Sequence, residues 1–170
     1  MKIILLPGNS PVNRDWIEKL EIIFKKSFDK VEIQYYKHWH TGEDMVDIEY
    51  ESRELSRRIG KSIIFAKSIG VGVALKAISD LKIKPDNCIF VGTPIMWCRG
   101  KNIPIEKWLK KLNIPSLFIQ QNEDPTASFE ILKESLRKNN IKNCEIKCIN
   151  GNDHMYNNFE ELEELIRAYI

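Results

Sequence analysis

The chain has 170 residues, 43% of them hydrophobic, which is enough to bury the core of a single domain that we expect to span residues 1–170. Its formal net charge of +2, from 26 basic and 24 acidic residues, excludes the strongly basic surface typical of nucleic-acid-binding proteins. No apolar stretch reaches the roughly 20 residues that cross a bilayer, and the apolar run at the start is too short for a signal peptide. We therefore expect a cytoplasmic protein that binds no nucleic acid and does not insert into a membrane, and nothing indicates a protein partner.

Apolar runs alternate with amphipathic segments along the whole chain. The predicted strands are 2–6, 31–35, 63–65, 88–91, 115–120 and 144–149. The predicted helices are 13–27, 45–59, 69–81, 104–112, 128–137 and 159–169. The segments 38–42 and 95–103 are predicted to be irregular. Six strands alternating with six helices predict an α/β protein with a three-layer, doubly wound parallel sheet.

The four cysteines give no indication of a metal site or of a disulfide framework. Cys88, Cys98, Cys144 and Cys148 form no Cys-x-x-Cys pair, and neither a second close pair nor a neighbouring histidine accompanies them. We expect buried free thiols and no bound metal.

Four loops of this predicted sheet carry residues that could take part in catalysis or binding. Right-handed crossovers bring the carboxyl ends of all parallel strands to one edge of the sheet. One of these loops begins at Pro7, and the other three contain Ser68, Asp124 and His154 respectively. Each of the four follows a strand. We therefore expect these four loops to meet at one edge.

Ser68 lies in the segment Ala66-Lys67-Ser68-Ile69-Gly70, which is the Gly-x-Ser-x-Gly pattern with alanine in its first position. A serine on a sharp strand-to-helix turn needs small residues two before and two after it, because these two neighbours pack against each other. The turn exposes the hydroxyl and directs the amide of Ile69 into the same space, where the helix N-terminus favours an oxyanion. Gly72 is expected to let the helix lie close to the sheet. The alternative is that Ser68 simply caps a buried helix.

A nucleophilic serine needs a base, and the base needs an acid that fixes its tautomer. His154 follows the last strand in a loop with Gly151, and Asp124 follows the fifth strand. These residues are the candidate base and acid, with Glu123 and Asp153 as alternative acids. In the alternative interpretation His154 is a solvated loop residue and Asp124 is a turn residue before a proline.

The chain order Ser, Asp, His is that of the α/β hydrolases. The sequence resembles this family, and in particular the small cap-less serine hydrolases of the retinoblastoma-binding-protein-9 type. The motifs that carry the resemblance are Leu6-Pro7-Gly8-Asn9-Ser10, Ala66-Lys67-Ser68-Ile69-Gly70, Ile114-Pro115-Ser116-Leu117-Phe118-Ile119 with Asp124-Pro125, and Gly151-Asn152-Asp153-His154. Two departures are Ala66 and Gln121, at positions where the family usually has glycine.

The resemblance implies that Ser68 is the nucleophile, Asp124 the acid and His154 the base. It also implies an oxyanion hole formed by the amide of Ile69 and that of Asn9 or Ser10. The implied fold is a minimal α/β-hydrolase sheet of strand order 2-1-3-4-5-6 without a cap. The implied reaction is hydrolysis of a small acyl ester or a related acyl bond through an acyl-enzyme, with no metal or organic cofactor.

The substrate and two other classes of function remain open at this point. Trp39, Met96 and Trp97 follow strand ends, so they are expected either to line an apolar acyl pocket or only to cover the sheet. The first alternative function is a binding protein with a vestigial triad. The second is a phosphate or nucleotide binder that uses residues 8–10 or 68–70 as an anion nest, although the chain has no P-loop or Gly-x-Gly-x-x-Gly pattern.

Overall fold

The computed structural model describes all residues from Met1 to Ile170 and contains one six-stranded sheet. Its strands are β1 (Lys2–Leu6), β2 (Lys30–Ile33), β3 (Ile63–Lys67), β4 (Asn87–Val91), β5 (Ser116–Gln121) and β6 (Cys144–Ile149). All neighbouring strands are parallel, and their order is β2-β1-β3-β4-β5-β6. The predicted fold class and the predicted strand order are confirmed.

Eight helices connect and flank these strands. They are α1 (Asn13–Phe24), α2 (His38–Thr41), α3 (Ile48–Arg58), α4 (Ile69–Asp80), α5 (Ile95–Gly100), α6 (Ile105–Leu109), α7 (Phe129–Lys138) and α8 (Phe159–Tyr169). Each connection between consecutive strands contains one or two helices. No helix is both long enough and apolar enough to span a bilayer.

The prediction that 38–42 and 95–103 are irregular was wrong, because these segments contain α2 and α5. Both helices are too short to show an apolar repeat, and tertiary contacts fix them instead. The carbonyl of Thr126 accepts hydrogen bonds from the amides of Met96 and Trp97 at the start of α5. The predicted helix over 45–59 begins only at Ile48, because the side chain of Asp47 caps the amide of Tyr50 at 2.9 Å.

Two apolar cores cover the two faces of the sheet. Alternate residues of the strands face opposite sides, so Ile64 and Ala66 pack with α3, α4, α6 and α7, whereas Ile63 and Phe65 pack with α1 and α8. All five residues of β3 are buried, which explains the continuous apolar run of its first four residues. The same alternation places Lys67, the last residue of β3, on the α1 and α8 side.

Candidate active site

The turn between β3 and α4 presents Ser68 at the carboxyl edge of the sheet. Ser68 has a φ of 54° and a ψ of −125°, a backbone conformation that costs energy in any residue other than glycine. Gly70 makes the turn sterically possible, since a Cβ at this position would lie 2.6 Å from the carbonyl oxygen of Leu6 and 2.7 Å from that of Pro7.

This geometry corrects two sequence-based expectations about the turn. A Cβ on Gly72 would meet only side chains, the nearest of them at 3.4 Å, so Gly70 rather than Gly72 permits the close approach of α4 to the sheet. The atoms nearest to a Cβ on Gly70 belong to the end of β1 and not to Ala66. The small residue after the serine is therefore required by the neighbouring strand.

Three loops that are distant in sequence bring a hydroxyl, an imidazole and a carboxylate together. The Nε2 atom of His154 lies 2.8 Å from the Oγ atom of Ser68. Its Nδ1 atom lies 2.7 Å from Oδ2 of Asp124. Of the alternative acids, Glu123 is exposed, and Asp153 accepts hydrogen bonds from Gln121 and the amide of Met155. Among the three candidate acids, Asp124 is the one that contacts the imidazole.

Both oxygens of the buried Asp124 carboxylate are fully used. Oδ1 accepts from the amide and the hydroxyl of Thr126 at 2.8 and 2.7 Å, and Oδ2 accepts from His154 and from the hydroxyl of Tyr156 at 2.7 Å. Burial acts to raise the pKa of Asp124, but the hydrogen bonds from His154, Tyr156 and Thr126 outweigh it and lower the pKa. An ionised carboxylate only accepts, so Nδ1 of His154 carries the proton and Nε2 accepts from Ser68.

Gln121, the last residue of β5, holds the loop that carries His154. Its Oε1 atom accepts from the amides of His154 and Asp153 at 3.0 and 3.2 Å, and its Nε2 atom donates to Oδ1 of Asp153 at 2.9 Å. A Cβ on Gly151 would lie 2.5 Å from the side chain of Gln121. The glutamine that departs from the family pattern thus contacts the histidine loop directly, a role that sequence reasoning missed.

Tyr156 is a second residue that the sequence did not indicate. Its buried hydroxyl accepts from the amide of Gln121 at 3.0 Å and donates to Asp124. Its ring packs on Gly92, which has a φ of 62° and where a Cβ would lie 2.7 Å from the tyrosine ring and 3.0 Å from the ring of His154. Tyr156 stands in a polar loop with no apolar pattern, so no sequence signal could have singled it out.

The amides proposed for an oxyanion hole are free to donate. Those of Asn9, Ser10 and Ile69 have no hydrogen-bond acceptor within the protein. The side chain of Asn9 donates to the carbonyl of Asp44 and accepts from the amide of Val46, both at 2.8 Å, which fixes the loop after β1. These three residues share with Ser68 the wall of a cavity of about 280 Å³, lined by Asn9, Ser10, Asn13, Ser68, Ile69, Trp97, Thr126 and His154.

The three expected pocket residues have different positions. Trp97 lines the cavity beside Ser68. Trp39 does not, because its indole donates to the carbonyl of Asn9 at 2.7 Å and its ring packs against the core. Met96 is 44% exposed and its sulfur accepts from Arg99, since α5 directs it outward. The geometry supports a pocket role for Trp97 and does not support one for Trp39 or Met96.

A second cavity of about 350 Å³ flanks Ser68 on the α1 side, lined by Ser10, Val12, Asn13, Trp16, Lys67, Ser68, His154 and Met155. Lys67 is only 3% exposed, and its ammonium donates to Oδ1 of Asn13 at 2.9 Å and lies 4.9 Å from the centre of the Trp16 ring. Burial lowers the pKa of Lys67 to about 8, although the charges of Asp124 and Asp153 act to raise it.

Comparisons with known proteins give the fold an independent reference. No protein-family model matches the sequence, and no curated protein matches it either. Among solved structures, a protein from Bacillus cereus is 23% identical with a TM-score of 0.72; the alignment covers 99% of this chain and 59% of that one. The present chain is thus clearly shorter than that protein.

Two further solved structures are covered more completely. A predicted CIB-like hydrolase from Thermoplasma acidophilum is 16% identical, with 99% of this chain and 84% of that chain aligned and a TM-score of 0.71. The esterase Est1E from Butyrivibrio proteoclasticus, solved with ferulic acid, is 14% identical, with 99% and 87% aligned and a TM-score of 0.74. At these identities the likeness concerns the fold, and the chain has the fold of the α/β hydrolases.

Proposed function

We propose that the protein is a serine hydrolase that cleaves a small acyl ester or a related acyl bond. The observation that carries the proposal is the hydrogen-bonded chain from Ser68 through His154 to the buried Asp124, with distances of 2.8 and 2.7 Å. Ser68 and His154 line an open cavity. Within the α/β hydrolases we assign the chain to the cap-less type that its motifs resemble. No observation specifically favours a vestigial triad. A triad without catalytic use would not need an acid such as Asp124, whose two oxygens both accept hydrogen bonds.

In the proposed mechanism the Oγ atom of Ser68 attacks the carbonyl carbon, and its proton moves to Nε2 of His154. The amide of Ile69 and an amide of the loop after β1, from Asn9 or Ser10, donate to the oxyanion. His154 then gives its proton to the leaving group as the bond to that group breaks. An acyl ester on Ser68 remains.

In the second half of the reaction, water attacks the acyl-enzyme and Ser68 is the leaving group. His154 takes a proton from the attacking water, and the same amides donate hydrogen bonds to the oxyanion that forms again. The bond between the acyl carbon and Ser68 then breaks as His154 returns the proton to the serine oxygen. The ionised Asp124 stabilises the imidazolium in both halves of the reaction. No metal or organic cofactor takes part in the proposal.

The test is covalent labelling with a fluorophosphonate probe, followed by hydrolysis of para-nitrophenyl esters of increasing chain length. We expect the wild-type protein to bind the probe and Ser68→Ala to remain unlabelled, as its hydroxyl is the attacking group. The control is Ser56→Ala, which removes a serine of α3 that lines neither cavity beside Ser68 and should label as wild type does. A wild-type protein that neither labels nor hydrolyses any ester would refute the proposal.

A further inference from the structure

Lys67 is a buried cation without an acidic partner. No carboxylate oxygen lies within 4.0 Å of its ammonium, although the chain forms 16 ion pairs at or below this distance. An ammonium has three protons to donate, and its one hydrogen-bond acceptor in the protein is Oδ1 of Asn13. Burial of a charge without a counterion is costly, so the position calls for an explanation beyond stability.

The position of Lys67 supplies that explanation. It is the residue directly before Ser68, and it lines the same cavity of about 350 Å³ as Ser68 and His154. Apart from His154, no other residue in the wall of this cavity can carry a positive charge. An anion in the cavity would therefore meet a single desolvated cation next to the nucleophile.

We propose that Lys67, whose ammonium is held by Asn13, forms a subsite for a carboxylate carried by the acyl substrate, so that the enzyme prefers monoanionic substrates. This inference rests on the proposed function, because it concerns the substrate of the same Ser68. The carboxylate would accept charge-assisted hydrogen bonds from the ammonium, while the Trp16 ring continues to pack on the cation. One cation matches one negative charge. A phosphate dianion would leave a charge uncompensated close to Asp124 and Asp153.

The charge of the subsite depends on the groups that face it. From α1 these are the neutral Asn13 and Trp16, and from the other loops they are His154 and the carboxylates of Asp124 and Asp153. With its pKa lowered to about 8, Lys67 is mostly protonated at pH 7 and loses its charge as the pH rises through 8. The preference for the anionic substrate should decline over the same range.

The test compares two matched pairs of esters, one with the charge on the acyl group and one with it on the leaving group. The first pair is mono-para-nitrophenyl adipate and its neutral adipamate counterpart, and the second is para-acetoxybenzoate and para-acetoxybenzamide. In at least one pair we expect the wild-type kcat/KM to favour the anion by about tenfold or more, as for a hydrogen bond to a charged group. Lys67→Met should bring that ratio close to one, whereas Arg14→Met, at an exposed cation paired with Glu18, should leave it unchanged. Equal ratios in wild type and Lys67→Met, in both pairs, would overturn the inference.

A binding measurement separates this inference from the proposed function. Calorimetric titration of Ser68→Ala with phenylacetate and with phenylacetamide needs no catalysis. We expect the carboxylate to bind about tenfold or more tightly than the amide, and the added Lys67→Met substitution to abolish the difference. If the two ligands bind alike, the subsite is refuted even when Ser68 is labelled by the fluorophosphonate. If the carboxylate preference is found without labelling or turnover, the subsite stands and the hydrolase function fails.

Discussion

The strand-to-helix turn that carries Ser68, here called the elbow, and the loop that carries His154 are held at the same site by different kinds of interaction. The elbow is fixed by packing, because Gly70 lies against the carbonyls at the end of β1 and leaves no room for a side chain. The loop of His154 is fixed by polar contacts, since Gln121 binds two of its amides and Tyr156 ties it to Asp124. A steric requirement restricts residue type at a fixed spacing and so leaves a motif. The hydrogen bonds from the amides of Asp153 and His154 to Gln121 span 32 and 33 positions of sequence, and no sequence pattern marks this pairing.

The largest effect on turnover is expected at Asp124, the carboxylate at the centre of the hydrogen-bonded network. Asp124→Asn keeps the shape of the acid but can donate to Nδ1 of His154, which favours the tautomer that cannot accept from Ser68. We expect kcat to fall by about 10³–10⁴-fold with little change in KM. Glu123→Gln, the same change at the exposed neighbouring acid, should retain wild-type turnover. Similar losses in both variants would mean that the His154–Asp124 contact is not what supports the imidazole.

The steric half of the comparison is tested by two glycines of the same helix. Gly70→Ala puts a methyl group against backbone oxygens that cannot move aside, and we expect a loss of about 3 kcal/mol of unfolding free energy together with slow labelling of Ser68. Gly72→Ala meets only side chains at ordinary contact distance, so its better helix propensity should raise stability by about 0.5–1 kcal/mol. Thermal or urea unfolding measures both. Equal destabilisation by the two variants would contradict the packing argument.

The hydrogen-bonded half is tested at Gln121. Gln121→Ala leaves the amides of Asp153 and His154 without their acceptor, so we expect about 1–3 kcal/mol of destabilisation and a kcat lower by about 10- to 100-fold as His154 loses its position. The matched control is Gln34→Ala, which removes another buried glutamine, bonded to Glu51 and absent from the walls of both cavities beside Ser68. This control should cost similar stability and leave kcat near the wild-type value. If kcat follows stability equally in both variants, Gln121 has only a structural role.

The difference between local patterns and contacts between distant residues explains which features could be predicted from the sequence. The strand order and the group of Ser68, Asp124 and His154 follow from apolar periodicity, from the elbow and from the family resemblance, all of which are local patterns. Helix α5 escaped prediction because a distant carbonyl, that of Thr126, organises its first turn. Gln121 escaped for the same reason. Its partners lie on the next strand's loop, and no spacing rule connects them.

The smallest effect, and the sharpest test of the polar network, is expected at Tyr156. Tyr156→Phe removes one of the four hydrogen bonds to Asp124 and leaves the amide of Gln121 without an acceptor, for a cost of about 1–2 kcal/mol and a loss of only a few-fold in kcat. Because the Tyr156 hydroxyl helps to lower the pKa of Asp124, the variant should have a higher Asp124 pKa than wild type.

The sign of the pH dependence follows from this shift. A carboxyl group whose pKa is lowered on folding contributes stability that is complete above its ordinary value of 3.8 and is lost as the pH falls through the folded-state value. The part of the stability difference between wild type and Tyr156→Phe that depends on the ionised Asp124 should therefore be constant near pH 7 and shrink as the pH falls through the folded-state pKa values of Asp124, which are lowered from 3.8. Urea unfolding at a series of pH values measures it. A difference that keeps its pH 7 value down to the lowest pH at which the protein stays folded would assign the lost stability to the bond with the Gln121 amide and show that the hydroxyl does not act on the carboxylate.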